Sequence, residues 1–295
     1  MSEFEVFCKH ENVAEYIELK INNWKELIDF FDKFNWAANF GRDWIFRGES
    51  DESRPISPSL ERLHKDNLGS MANAEKLSLS YFKRRYKGEF KPNNSLEWLS
   101  LLQHYGAPTR LVDFTYSWYI ALFFAIESLS DKNSSLWCIN LQELKNEIKI
   151  DGINADASHP IIFDAYEKEV CELIDNHTKE KKTVIPIEPQ LLNERIHIQQ
   201  GLFLINVSFL SKFDDILFQT LSVDKTQKVN KKLVDISTTE IDEVKIFKIV
   251  INSSIKKDLI KELYKMNISR ETIYPGIEGF SQSIKTRIQA GIFAN

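Results

Sequence analysis

Between Trp98 and Ile126 the chain reads WLSLLQHYGAPTRLVDFTYSWYIALFFAI. His104, Tyr105, Thr109, Arg110, Asp113, Thr115 and Tyr116 are crowded there between two apolar runs. Polar groups flanked so closely by Leu, Phe, Trp and Ile lose water. They must find partners, because each buried group left unpaired costs roughly 1–3 kcal/mol. Such a cluster is either a structural network or a site. Gly106-Ala-Pro108 breaks the chain inside it, so Thr109–Phe114 is a strand or a tight turn. Ser117–Leu129, apolar almost all round, predicts a buried helix.

Other elements follow from periodicity. Leu27, Phe30, Phe31 and Phe34 recur at helical spacing, which predicts an amphipathic helix over Trp24–Phe34. Asp43–Gly48 reads as a short strand, followed by an irregular crossing at Pro55 and Pro58. Ala72–Tyr86 and Leu96–Gln103 read as helices, and Leu136–Leu141 and Val244–Ile251 as strands. Ile196–Phe209 alternates in the manner of a strand or hairpin arm. Ser254 is the expected cap of a helix over 255–266 that ends at Asn267. Thr272–Pro275 enters a turn, and Gly279–Arg287 is the last helix. Residues 142–192 are polar and mixed, with Lys179–Lys182 a solvated run. Helices come first and strands are scattered later. The expectation is therefore a single α+β domain with a helical part over about residues 1–40, a core over 41–295 and a mostly antiparallel sheet.

Composition narrows the partners. A net charge of −5 argues against broad binding to nucleic acid or acidic membranes, though a local basic patch survives it. Lys83-Arg84-Arg85, with Tyr81, Phe82 and Tyr86 around it, reads as a solvated helix face or a phosphate contact. Cys8, Cys138 and Cys171 are too few and too scattered for a disulfide framework or zinc site, and neither HExxH nor HxH occurs, so no metal is expected. The acidic, interrupted first residues do not read as a signal peptide, and the apolar run Trp118–Ile126 is far short of the roughly 20 residues a spanning helix needs. A cytoplasmic protein with no membrane partner is expected. The absence of GxGxxG, GxxxxGK[ST] and GxSxG sets aside Rossmann dehydrogenases, P-loop proteins and α/β-hydrolases.

Phe46-Arg47-Gly48, the stretch HYGAPTRLVDFT from His104 to Thr115, Ala121–Ala125 and Arg195–Phe203 resemble the FRG domain family, over roughly residues 24–285. That family occurs in bacteria and their phages, often as part of a larger protein. The resemblance implies a fold unit and a site rather than one reaction. The chain is also similar, more weakly, to ADP-ribosyltransferases. These often carry Tyr/Phe-Arg-Gly on a first core strand to hold a phosphate or ribose of NAD, a Ser/Thr-rich strand leading into a helix, and a glutamate on a later strand. Trp44–Gly48 and Phe114-Thr-Tyr-Ser117 match the first two elements. For the third, Gln199 and Gln200 stand where the glutamate belongs, and Glu278 sits in a Pro-Gly-Ile-Glu-Gly stretch.

Each candidate has two readings. Arg47 grips phosphate or carboxylate through its fork, with Gly48 admitting a ligand to the backbone, or it makes an internal salt bridge to Asp113 or Glu278. Asp113 positions Arg110 or Arg47 beside Thr109, or caps a turn. Thr115 and Ser117 bind a ribose or cap the following helix. His104 is an acid/base or a core histidine, and Tyr105 stacks on a flat ring. Gln200 recognises an amide or belongs to a bulge at Gly201. Glu278 stabilises an oxocarbenium-like centre or caps the last helix. With the resemblance, these readings imply an enzyme that uses NAD or a related nucleotide, acting as an ADP-ribosyltransferase-like toxin or phage-defence effector. Arg47, Glu278 and Gln200 would then be catalytic, while His104, Tyr105, Thr109, Arg110, Asp113 and Thr115 bind ligand. Its ligand would be a nucleotide-like small molecule and a protein its partner or acceptor, with nucleic acid disfavoured as acceptor. The alternative is a non-catalytic module that senses a ligand or phage component and acts through a protein partner.

Overall fold

Eight strands form among the described residues, most of them rich in apolar side chains, and all eight join one sheet. The computed structural model describes residues 15–37, 44–64, 67–89, 91–148, 182–188, 194–236 and 243–293, with isolated positions between 168 and 175 and at 241. The strands are β1 (Tyr16–Ile21), β2 (Trp44–Glu49), β3 (Leu111–Thr115), β4 (Ser134–Asn140), β5 (Val184–Ile187), β6 (Gly201–Asn206), β7 (Val229–Lys231) and β8 (Ile246–Ile251). Their order across the sheet is β5-β6-β3-β2-β4-β8-β1-β7. Five of the neighbouring pairs are antiparallel, and β1 runs parallel to both β7 and β8. The architecture is the expected α+β type with a mostly antiparallel sheet.

Helices cover both faces. Trp44 and Phe46 point toward α1 (Trp24–Ala37), α5 (Trp118–Ile126) and α9 (Lys256–Lys265), within a cluster that includes Phe30, Phe31 and Phe247. Ile45, between them, points the other way, into a second cluster with α6 (Leu141–Glu147) and α8 (Phe213–Thr220). This is the period-two alternation of a strand buried on both faces. Helix α5 is as apolar as the sequence predicts. Residues 121–123, 125 and 126 have no solvent exposure, and the Ser117 hydroxyl accepts a hydrogen bond from the Ile120 amide at the helix start. A third cluster joins α4 (Ser95–His104) to β3, β5 and β6, with Asn94 capping α4 through the Glu97 amide at 2.9 Å.

Several expectations are corrected. The part up to residue 40, read as helical, contains β1, whose Ile17, Leu19 and Ile21 are buried beside β8. The strand read over Ile196–Phe209 is divided. Helix α7 (Glu194–Ile198) precedes it, and Gln200, at φ 48°, turns the chain so that pairing begins at Gly201. Asn252, rather than Ser254, accepts the capping hydrogen bond ahead of α9. The turn read over Thr272–Pro275 begins as a short helix, α10 (Arg270–Ile273), set by a Ser269–Thr272 capping box. The last helix, α11 (Ile277–Ala290), starts earlier than read and includes Glu278 in its first turn. Lys179, Glu180 and Lys181 of the solvated run lie outside the described residues.

Candidate functional site

Strands β2 and β3 are paired at one position, Phe46 with Thr115, and part beyond it. The Arg47 guanidinium bridges this parting. Its Nη1 donates to the Asp113 carbonyl oxygen at 2.8 Å, while Nε and Nη2 meet Glu49 Oε1 at 2.9 and 2.7 Å. The internal partner of Arg47 is therefore Glu49, two residues along the same strand face, and neither the Asp113 carboxylate nor Glu278. Arg47 replaces a missing rung of the ladder with a charge-assisted hydrogen bond.

Gly48 has a packing role. A Cβ built there would lie 2.0 Å from the Ala121 carbonyl oxygen and 2.5 Å from the Ala125 amide nitrogen. The glycine is thus required by the close approach of α5 to β2, a packing role beside its place in the lining of the smaller hollow.

A cavity of about 190 Å³ opens at the parting, lined by Arg47, Gly48, Asp113, Thr115, Gln199 and Tyr274 among others. A second hollow of about 660 Å³ adjoins it, lined by His104, Tyr105, Arg270 and Glu278 among others. Arg195 and Tyr274 line both, so the two hollows, the lobes of one candidate cleft, adjoin at this pair. The Arg195 guanidinium lies 4.3 Å from the Tyr274 ring centroid and donates to its hydroxyl at 3.3 Å. Arg270 lies 4.6 Å from the same ring and is ion-paired with Glu127. Among the described residues, Arg195 forms no such ion pair. A half-buried cation over an aromatic ring, with no ion pair of its own among the described residues, can receive an anion.

Electrostatics follow from this arrangement. Burial, and secondarily the charge of Arg195, hold the His104 imidazole below its ordinary pKa, and its Nδ1 is buried without a hydrogen-bond partner. Burial raises the Tyr274 phenol, and it raises Glu127 despite the opposing charge of Arg270. Asp113 is exposed in the smaller lobe, and its Oδ1 accepts from Gln103 Nε2 at 2.8 Å. Tyr105, 62% exposed, stands in the larger lobe.

The remaining sequence candidates separate. Arg110 is sealed inside, paired with Glu75 on α3 (Met71–Arg85) and lying 3.7 Å from the Phe209 ring centroid. Its carboxylate partner is Glu75, not Asp113. Thr109 is fully buried, its hydroxyl bonded to Gln103 Oε1 and accepting from the Leu111 amide. Both are structural and lie away from the cleft. The Thr115 hydroxyl donates to the Gln199 carbonyl at 2.7 Å and accepts from the Ser117 amide, so it pins β3 to the turn before β6. Gln200 is exposed on that turn and does not line either lobe; Gln199 does, with Nε2 3.4 Å from the Ile273 carbonyl oxygen. Glu278 lines the larger lobe, not the one that holds Arg47, and accepts from Gln282 one turn on. Among the described residues no group of three or more His, Cys, Asp or Glu side chains is placed to hold a metal ion.

Sequence reasoning gave no role to Arg195, Tyr274, Gln103 or Glu49. Arg195 carries two signals, its place at the head of the Arg195–Phe203 stretch and six residues ahead of the glycine that opens a strand. Only the turn at Gln200 brings it back over β3.

Sheet, covering helices and two adjoining hollows at a strand parting define an α+β domain. Residues 42–134 match the family model of the FRG domain. The match holds Arg47, Tyr105, Asp113 and Thr115, while Arg195, Tyr274 and Glu278 come from beyond it. No curated protein and no solved structure matches the chain. No helix among the described residues is long and apolar enough to cross a membrane.

Proposed function

We propose that the cleft binds NAD or a closely related nucleotide and that the protein transfers ADP-ribose to a cytoplasmic acceptor, as a toxin or phage-defence effector does. One observation carries the reading: the guanidinium of Arg195, without an ion pair among the described residues, lying over Tyr274 where the two lobes meet. Ligand pockets typically enclose about 300–1,000 Å³, and the larger lobe alone has about 660 Å³. In this reading Arg195 takes the diphosphate and Arg47 keeps the smaller lobe open. Tyr105 stacks on a ring at the mouth, a use suited to an exposed aromatic face. Asp113, the exposed carboxylate of the smaller lobe, faces the developing positive charge of the ribose. It takes that role in preference to Gln200, which is outside the cleft, and to Glu278, which lines the other lobe.

The test is release of nicotinamide from labelled NAD in the presence of candidate protein acceptors, comparing wild type with Arg47→Ala and Asp113→Asn. Turnover by wild type, reduced at least 100-fold in Asp113→Asn, supports the reading. Equal background release from all three removes the enzymatic part.

A second reading is favoured by the pairing of Arg47 with Glu49 and of Asp113 with Gln103. A smaller lobe whose Arg47 and Asp113 already have partners suits a module that binds a nucleotide and signals to a protein partner. Calorimetric binding of NAD without turnover selects this reading.

A further inference from the structure

The end of α3 concentrates positive charge in an otherwise acidic chain. Lys76, Lys83, Arg84 and Arg85 on the helix and Lys87 and Lys91 after it are all exposed, and Glu89 is the one exposed carboxylate between residues 76 and 93. The neighbouring Glu75 is consumed by Arg110, and Glu97 is buried against the Asn93 amide. Lys76, Lys83 and Arg84 line a groove of about 400 Å³, on whose edge Asp175 is bonded to Ser95.

Aromatic rings run from this basic surface to the cleft. Phe82 and Tyr86 stack at 5.6 Å, and Tyr86 stands 5.8 Å from Trp98 and 6.2 Å from Tyr105. Lys83 Nζ lies 5.2 Å over the Trp98 ring. Tyr105 closes the series beside His104, at the rim of the larger lobe. Packing of α3 against α4 accounts for the contacts of Phe82 and Trp98. Tyr105 also touches Phe82 and Tyr86, yet the packing leaves most of Tyr81 and Tyr105 uncovered, at 65% and 62% exposed.

We propose that this strip binds single-stranded nucleic acid, with phosphates on Lys83, Arg84, Arg85 and Lys87 and bases stacked on Tyr105 and Tyr81, so that the strand runs toward the cleft mouth. A cationic track interleaved with exposed aromatic faces is the combination that holds single strands without reading their sequence. A duplex, with its bases stacked internally, offers the rings nothing. The strip shares Tyr105 with the cleft mouth, but its basic residues and Tyr81 lie outside the cleft lining, so its binding does not require that the cleft use NAD.

Fluorescence anisotropy of the full chain with labelled 12-nucleotide single strands of DNA and of RNA tests this, with NAD omitted. The expected result is single-strand binding whose log affinity falls linearly with log salt concentration. The triple variant K83E/R84E/R85E, with an unchanged urea midpoint, should weaken it at least 10-fold. Tyr105→Ala and Tyr81→Ala should each weaken single-strand binding about 5-fold or more while leaving heparin binding unaltered. The DNA and RNA arms identify which strand is preferred. No binding at 50 mM salt would overturn the proposal. So would tighter binding of a duplex, or tyrosine variants that bind single strands as wild type does, since contact would then be with polyanions in general.

Discussion

His104 ends α4 with Nδ1 enclosed and unpartnered, facing the charge of Arg195, so the folded protein favours the neutral imidazole. The sign of the pH effect follows. As pH falls below the ordinary histidine value of about 6.5, the unfolded chain binds a proton that the folded chain resists, and stability is lost. Above that value the contribution is constant. Buried carboxylates with raised pKa values, such as Glu61 and Asp214, act with the opposite sign. The informative quantity is therefore a difference. The loss of urea-denaturation stability between pH 7.5 and 5.5 should be smaller in His104→Gln than in wild type. Identical pH profiles would contradict the burial of this imidazole. The residue scale is also where the sequence was least sufficient. Arg110 and Arg47 look alike in the chain, each an arginine beside apolar residues, yet one is sealed against Glu75 and the other spans an opening. The partners that decide this, Glu75 and Glu49, differ in being distant or adjacent along the chain, and no local pattern marks them.

Among the elements, β2 and α5 are the pair on which the cleft depends. Their backbones approach at Gly48, Ala121 and Ala125, where any side chain beyond hydrogen would strike backbone atoms of the helix. Backbone cannot yield as a flexible side chain can. Gly48→Ala should cost about 3 kcal/mol or more, at the upper end for overpacking, read as a lowered urea midpoint. An unchanged midpoint would contradict the packing. The elements themselves were largely legible. Helical spacing of Leu27, Phe30, Phe31 and Phe34 and the unbroken apolar run of α5 announced both helices, because burial of a face leaves a periodic trace. The start of β6 was not, because Ile196 and Ile198 continue the apolar alternation across a reversal. The left-handed backbone of Gln200, a conformation more often taken by glycine or asparagine, gives no residue-type signal.

On the scale of the whole molecule, the sheet brings together segments far apart in sequence. β3 lies between β2 and β6, so Arg47, Asp113 and Arg195 meet around one opening although nearly 150 residues separate the first from the last. The HYGAPTRLVDFT stretch pointed to this region. The lobe that completes it comes from α7 and the Tyr274 turn, which pattern alone does not connect. The central claim is that two lobes form one nucleotide site around Arg195. Calorimetric titration with ADP-ribose, the portion of NAD that spans both lobes in this reading, tests it most directly. Wild type should bind with one-to-one stoichiometry, and Arg195→Leu, with its fold verified by circular dichroism, should bind at least 10-fold more weakly. Absence of binding by wild type at millimolar ligand, or an Arg195→Leu variant that binds as wild type does, would contradict it.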